Sequence, residues 1–347
     1  MNSKVASIIL NIPKILLPIL LISNLSSQTL VSRIAVPIYL TTSISVGYDN
    51  NFLRLSDLEK ENATFDSQLL GDSETFDSQI IRPEIKIVYN PVLLNGHITN
   101  IRLTMARLDY GQSSRKSYHS FIFRFEQHLG SYQWLILGYS LLPEYYLRTY
   151  KDRDLIGDDW LPCRFTGETA FVSYSFPVFK KTWVRIKPGL TNYYYDSHFT
   201  EFDTRVVDTE IRISTRLLSK FKMSVWSVVG KGDNITFNSG LISTAWDRSY
   251  DFLQFGTQIE CSPKSYLSSI GGYVKFDRRN YLTDSPDDPL HAGRQHLEIK
   301  SGLWFKKELF NNISIKLSWE YREKITKSQY DWVEELKSFS KQEVWLK

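Results

Sequence analysis

The sequence has no unbroken run of apolar residues long enough to form a membrane-spanning helix. Such a helix needs about 20 consecutive apolar residues. The apolar stretch near the N-terminus is interrupted by Lys14 and Pro18, and the mean hydropathy of the 347 residues is −0.27. A bundle of membrane helices is therefore excluded.

The sequence also lacks the motifs of several common binding functions. It has no glycine-rich phosphate loop and no Cys/His spacing typical of zinc sites, so we expect no cofactor. Its net charge is only +4, and basic residues alternate with acidic ones instead of clustering, which argues against nucleic-acid binding. Acidic stretches at 57–77, 152–159 and 284–288 lack the ligand spacing of a calcium loop, and solvated surface is predicted there.

Aromatic residues, in contrast, are abundant: 20 Tyr, 20 Phe and 9 Trp. The clearest pattern lies in residues 293–323, where apolar residues alternate with charged ones in two segments. Successive side chains of a strand point to opposite faces, so each segment has one apolar and one charged face. Either a second sheet covers the apolar face, as in a soluble sandwich, or lipid does, as in a transmembrane barrel.

The N-terminus has the features of an export signal. Lys4 provides a basic start, Ile15–Ile22 an apolar core, and Asn24–Gln28 small and polar residues suited to cleavage. We predict a cleaved signal peptide over residues 1–28, with an uncleaved anchor as the alternative. No cysteine lies near the cleavage region, so no lipid anchor is expected.

Fourteen alternating segments follow, from Ile38–Asn50 to Phe339–Lys347. The connections between them alternate in length, beginning with a long acidic loop at 51–78 that contains TFDSQ twice. A tight turn is expected at Asn95-Gly96. Short inner turns, longer outer loops and an even strand number are typical of outer-membrane barrels.

In these features the chain resembles the bacterial outer-membrane β-barrel class, over residues 38–347, although no motif assigns a particular family within it. The resemblance implies an all-β, antiparallel up-and-down barrel of about 14 strands in the outer membrane of a Gram-negative-type envelope. Its partners would be outer-membrane lipid, small solutes and the barrel-assembly machinery, with a homo-oligomer left open. Barrels of this class usually end in a long strand with a terminal aromatic residue. This chain instead stops at Trp345-Leu346-Lys347, so the last strand is expected to be truncated.

The polar positions of the strands nominate the residues that line the lumen. Basic side chains outnumber acidic ones, so an open lumen would favour anions. The alternative for any one residue is an ion pair across neighbouring strands. The predicted lining residues are Arg82, Glu84, Lys86, Arg102, Arg124, Glu126, Arg185, Lys187, Asp208, Glu210, Arg212, Glu298, Lys300, Lys316, Glu320 and Arg322.

Three functions are compatible with this architecture. The leading hypothesis is a porin-like channel for passive diffusion of small solutes, with a mild anion preference, because fourteen strands enclose more space than side chains readily fill. The second is a structural barrel closed by salt bridges and inward-folded loops, whose outer loops bind a partner. The third is a hydrolase using His198, although Asp196 and Ser197 adjoin it in sequence and would make a poor triad. His296 is predicted to hydrogen-bond within the lumen.

The two cysteines are predicted to be free thiols. The topology places Cys163 at the outer rim and Cys261 at the inner rim. A barrel wall is roughly 25 Å tall, whereas a disulfide requires Cα atoms within about 7 Å.

Overall fold

The computed structural model describes residues 30–152, 154, 160–263, 267–310 and 313–347. Within them, fourteen antiparallel strands form one closed barrel in which each strand pairs with its sequence neighbours and β14 pairs with β1. The predicted fold class is confirmed. The strands are β1 (Ile38–Asp49), β2 (Ser78–Tyr89), β3 (Thr99–Tyr110), β4 (Tyr118–Gly130), β5 (Gln133–Lys151), β6 (Trp160–Phe179), β7 (Thr182–Tyr195), β8 (Thr204–Leu218), β9 (Phe221–Asn234), β10 (Tyr250–Cys261), β11 (Ser269–Tyr281), β12 (Gln295–Phe310), β13 (Ile313–Lys327) and β14 (Phe339–Leu346).

The described residues also contain three short α-helices. They are α1 (Leu30–Ile34), α2 (Asp57–Ala63) and α3 (Asp331–Lys337). No helix in these parts of the chain is both long and apolar enough to cross a membrane. The predicted signal peptide lies outside the described residues.

The period-two pattern sets which side chains face outward. In the β12–β13 pair, Leu303 lies opposite Trp319 and Phe305 opposite Leu317, on the outer face. Leu303 is 50% exposed although it is apolar. The alternate residues, including Lys300 and Arg322, face inward. This is the arrangement of a wall whose exterior contacts lipid and whose interior is polar.

The outer loops are L1 (50–77), L2 (111–117), L3 (of which residues 152 and 154 are described), L4 (196–203), L5 (235–249), L6 (282–294) and L7 (328–338). The inner connections are mostly shorter. The 90–98 connection is an exception in length. The tight turn predicted at Asn95-Gly96 is present as a 3-10 turn at Leu94–Gly96, in which the His97 N–H donates to the Leu94 carbonyl at 2.9 Å. The Val92 N–H donates to the Arg33 carbonyl near α1, 3.0 Å away.

Several strands extend beyond the segments that alternation predicts. The alternation predicts that β9 ends at Gly230, but β9 reaches Asn234, four residues further. It predicts that β5 ends at Tyr146 and that β6 begins at Cys163, but the two strands remain paired as far as Lys151 and Trp160. Contact with lipid imposes the alternation of apolar and polar residues. Where a strand continues beyond the membrane, the alternation ends, although backbone hydrogen bonding to the neighbouring strand continues.

Cys163 lies near the outer start of β6 and Cys261 ends β10 at the inner rim, as predicted. Both are free thiols.

The first residues of L1 fold into the barrel, whereas the 57–77 stretch is largely solvated as predicted: of its acidic side chains, only Glu59 is buried. Phe52, Leu53 and Leu55 are almost completely buried in a small core with Ala63 and Leu70 of the same loop and Tyr146 of β5. The sequence contains this signal as the short apolar run Phe52–Leu55 inside an otherwise acidic loop. Burial of these side chains stabilises the inward conformation.

Hydrogen bonds fix the path of L1. Asn51 bridges both ends of its turn, accepting from the Leu55 N–H at 2.8 Å and donating to the Leu55 carbonyl at 2.8 Å. Ser56 and Glu59 form a reciprocal capping box at the start of α2. Asp72 accepts from the Ser113 hydroxyl at 2.5 Å, which joins L1 to L2.

The two TFDSQ copies adopt different structures. In the first, Asp66 caps a 3-10 turn at Ser67–Leu70 by accepting from the Gln68 N–H. In the second, Asp77 accepts from the Tyr48 hydroxyl at 2.6 Å, immediately before β2. The repeat is therefore one of sequence only.

Large aromatic side chains on the inner face lie flat against the wall because glycines stand opposite them. A Cβ added at Gly256 would lie 2.2 Å from the Trp226 ring, and one at Gly271 would lie 2.2 Å from the Trp304 ring. Both pairs are in direct cross-strand register. The absence of a side chain at these glycines thus lets each indole lie along the wall instead of projecting into the lumen.

We expect Gly256→Ala to destabilise the barrel because its methyl group would overlap the Trp226 ring. Overpacking of this kind costs about 1–3 kcal/mol. The control is Gly167→Ala, whose Cβ would make ordinary contacts of 3.4–3.5 Å. Equilibrium urea unfolding of the refolded barrel measures both, and equal stability of the two variants would contradict the explanation.

Candidate functional site

The sixteen predicted lining residues all lie on the inner face, opposite the apolar exterior. Several form ion pairs across the wall, such as Arg102–Glu126 at 3.4 Å and Lys300–Glu320 at 2.7 Å. Arg82 instead pairs with Glu84 of its own strand at 2.9 Å. Four of the sixteen have no ion pair with a described residue: Lys86, Arg124, Asp208 and Lys316.

Basic groups remain in excess where the pairing is densest. Glu210 accepts from Arg185 at 2.6 Å and from Arg212 at 3.1 Å, and Lys187 lies 3.9 Å away. One carboxylate therefore faces three cations. The guanidinium of Arg212 also lies 4.2 Å from the centre of the Trp226 ring, which holds it against the wall.

A large cavity of about 1690 Å³ occupies the outer half of the lumen, between L1 and the β5–β12 wall. Its lining combines aromatic rings with arginines. Arg279 lies 4.0 Å from the centre of the Tyr250 ring, and Arg294 lies 4.0 Å from that of Tyr281. Phe165 contributes a further ring from β6. Stacked guanidinium groups of this kind are held rigid while their hydrogen-bonding edges stay available.

A smaller pocket of about 440 Å³ adjoins this cavity beneath L1. We call it the basic pocket. It is bordered by Leu53 and Arg54 of L1, by Arg148 of β5, and on the other side by Lys275 and His296 of β11 and β12. In a ring of fourteen strands, β5 and β12 stand directly opposite one another. The pocket therefore spans the barrel axis, and L1 narrows the lumen there.

The site depends on residues that the predicted set did not include. Arg54, Lys116, Arg148, Lys275, Arg279 and Lys324 all border the basic pocket. Lys275 and Arg279 occupy inward positions of β11 and follow its alternation. Arg54, Lys116 and Arg148 reach the pocket only through the folding of L1 and L2 and through the extension of β5, which periodicity does not report.

Lys116 of L2 is completely buried. Its ammonium group donates to the carbonyls of Tyr146 at 2.8 Å and Leu147 at 3.1 Å, and lies 4.5 Å from the centre of the Tyr145 ring. Burial lowers the pKa of Lys116 to about 8, so it remains mostly charged at pH 7.

The histidines considered as candidate groups have structural partners. His296 shares a hydrogen bond of 2.9 Å with the Thr326 hydroxyl on the inner face. His198 lies 2.9 Å from Asp152, and within the described residues no hydroxyl or thiol group is hydrogen-bonded to it. The described part of the chain contains no group of three or more His, Cys, Asp or Glu side chains that could hold a metal ion.

The closed wall, apolar exterior and charged interior together define a transmembrane β-barrel of the bacterial outer-membrane class. No protein-family model and no curated protein matches the chain.

Solved structures to which this chain is similar include a loop-deletion mutant of OmpT, an outer membrane protein of Vibrio cholerae (7% identity, 89% of this chain and 98% of that one, TM-score 0.45). Others are an anion-selective porin from Comamonas acidovorans (8%, 89% and 99%, 0.39) and the outer membrane channel DcaP of Acinetobacter baumannii (10%, 89% and 96%, 0.41).

We expect Glu59→Gln to release L1 from the lumen. Glu59 caps α2 and also lies 2.8 Å from Arg148, with both side chains almost fully buried. Leaving one partner of a buried pair uncompensated costs about 3 kcal/mol or more. Hydrogen exchange of the L1 amides should accelerate. Asp57→Asn is the control, because Asp57 is exposed and its pair with Lys60 is superficial. Equal protection of L1 in both variants would show that Glu59 does not hold the loop.

L6 should loosen on acidification. Burial lowers the pKa of His291 to about 4, although Asp288 lies 2.8 Å away. An unfolded loop would bind the proton near the ordinary pKa of 6.5, so stability falls as the pH drops from 6.5 towards 4. The linkage amounts to about 2 kcal/mol between pH 7 and pH 5. Hydrogen exchange of L6, corrected for the intrinsic effect of pH, measures it. The trend should be weaker in His291→Gln, and an equally steep trend in that variant would contradict this origin.

Proposed function

We propose that the protein is a porin-like channel through which small solutes diffuse passively across the outer membrane, with a preference for anions. The observation that supports this most directly is the interior itself. It is charged, and a cavity of about 1690 Å³ adjoins a narrower passage beneath L1. L1 then acts as a constriction that sets the size limit.

Anion preference is supported by the balance of charge on the inner face. Ten of the sixteen predicted lining residues are basic and six are acidic. The cations around Glu210 belong to the wall of the large cavity, which Lys187, Asp208 and Glu210 line. In a narrow lumen with low-dielectric walls, such a field concentrates anions and repels cations.

Planar-bilayer recording in a salt gradient tests this proposal, and we expect steady ohmic conductance with a reversal potential of anionic sign. Arg185→Glu should lower the anion permeability about fourfold and raise the cation permeability by the same factor, so that the anion-to-cation ratio falls about sixteenfold. The reason is that reversing a charge about 10 Å from the ion changes its energy in water by about 0.8 kcal/mol. Lys187→Glu should act in the same direction.

Arg205→Glu provides the control, because Arg205 lies on the outer face near the rim. A folded barrel without conductance would overturn the channel proposal. Equal selectivity of Arg185→Glu and Arg205→Glu would remove the anion preference alone.

The inward position of L1 also favours a second candidate, a barrel whose lumen is closed and whose outer loops bind a partner. L1 carries its own buried core and fills part of the outer lumen. Shortening L1 by deletion of residues 57–71 distinguishes the two. If L1 is a constriction, the deletion variant should conduct more than the unaltered protein. If L1 closes the barrel, only the deletion variant should conduct.

A further inference from the structure

The basic pocket contains far more positive than negative charge. Seven basic side chains border it against the two carboxylates of Asp277 and Glu298. Two of the seven are already paired, since Arg148 lies 2.8 Å from Glu59 and Arg322 lies 2.6 Å from Glu298. The other five have no carboxylate within ion-pair distance among the described residues: Arg54, Lys116, Lys275, Arg279 and Lys324.

These five groups are not equally available to a ligand. Lys116 already donates to two backbone carbonyls. Arg279 lies against the Tyr250 ring, and Lys324 lies 5.1 Å from the centre of the Phe339 ring. These rings carry no charge, so they do not replace an anionic partner. Crowded cations in a partly desolvated space are costly unless an anion joins them.

Arg54 provides independent evidence for a built site. Its backbone has φ +57°, a left-handed conformation that is uncommon for a residue other than glycine. The hydrogen bonds of Asn51 to Leu55 impose this conformation, and the Arg54 N–H donates to the Asn51 carbonyl at 3.0 Å. Like the Nε atoms of several other arginines, that of Arg54 is buried without a hydrogen-bond partner among the described residues. Strain of this kind is typical of residues held in place for a function.

The position of the pocket makes it part of the passage. Arg54 enters from L1, Arg148 from β5 and Arg279 from the opposite wall. A volume of about 440 Å³ lies within the range of small-molecule sites, roughly 300–1,000 Å³. The fork geometry of guanidinium groups suits the oxygen atoms of phosphate and carboxylate.

We propose that the basic pocket binds small organic or inorganic polyanions bearing phosphate or carboxylate groups, held between Arg54 of L1 and Lys275, Arg279 and Lys324 of the wall. The channel thereby has a preferred class of solute, a statement that rests on the proposed function, although binding itself requires no conductance. A monovalent anion would neutralise only one of the four cations, so affinity should rise with ligand charge.

Isothermal titration of the full-length, refolded barrel in detergent at low salt tests this inference, with pyrophosphate, citrate and glucose as probes. We expect saturable binding of pyrophosphate or citrate and none of glucose. The anion that binds with the higher affinity shows whether phosphate or carboxylate oxygens are preferred. Arg54→Gln and Arg279→Gln should each weaken binding at least tenfold, while Arg205→Gln, on the outer face, should leave it unchanged.

Two controls keep the test decisive. Heat-modifiable migration on gels verifies that each variant is folded, and if Arg54→Gln does not fold, Arg279→Gln and Lys275→Gln carry the comparison. Absence of polyanion binding to the folded wild-type barrel would overturn the inference. So would binding that the pocket variants leave unaltered, which would indicate non-specific attraction. A barrel that conducts without binding loses this inference alone, whereas one that binds without conducting loses the proposed channel function.

Discussion

Satisfaction of backbone hydrogen bonds within lipid is the constraint on which the rest of this structure depends. An open sheet edge in hydrocarbon leaves N–H and C=O groups without partners, and each such group costs several kcal/mol. Closing fourteen strands into a ring supplies partners along most of the wall. Closure also divides the side chains into two sets, and the charged set can only face inward. The charged lumen is thus a consequence of the ring closure that satisfies the backbone hydrogen bonds.

The inward loop adds a second level of order to that interior. A loop of 28 residues over an open barrel would ordinarily extend into water, because its acidic composition favours solvation. L1 instead buries Phe52 and Leu55 against Tyr146, and Glu59 is neutralised by Arg148. The apolar contacts stabilise the inward position, and the ion pair removes the electrostatic cost of bringing a carboxylate inside. The loop then carries Arg54 to the barrel axis, where the wall alone would place no side chain.

Periodicity predicted the wall well and the constriction poorly, for a physical reason. The lipid boundary imposes alternation on every strand that it touches, and Leu303, Lys300 and their neighbours record it in sequence. The strand count, the inner face and the assignment of outer and inner rims followed from this regularity. The folding of L1 depends on contacts between residues distant in sequence, such as Glu59 with Arg148, which leave no periodic trace. The extension of β9 to Asn234 was missed because that segment is polar on both faces.

Closure of the ring also involves side-chain charge. Where β1 meets β14, the ammonium group of Lys341 lies 2.7 Å from the carboxylate of Asp49, and both side chains are buried. Lys341 lies 2.6 Å from Glu343 of its own strand as well. The two strands are therefore joined by buried ion pairs in addition to backbone hydrogen bonds, so the integrity of the wall at this line depends on the ionisation of a carboxylate.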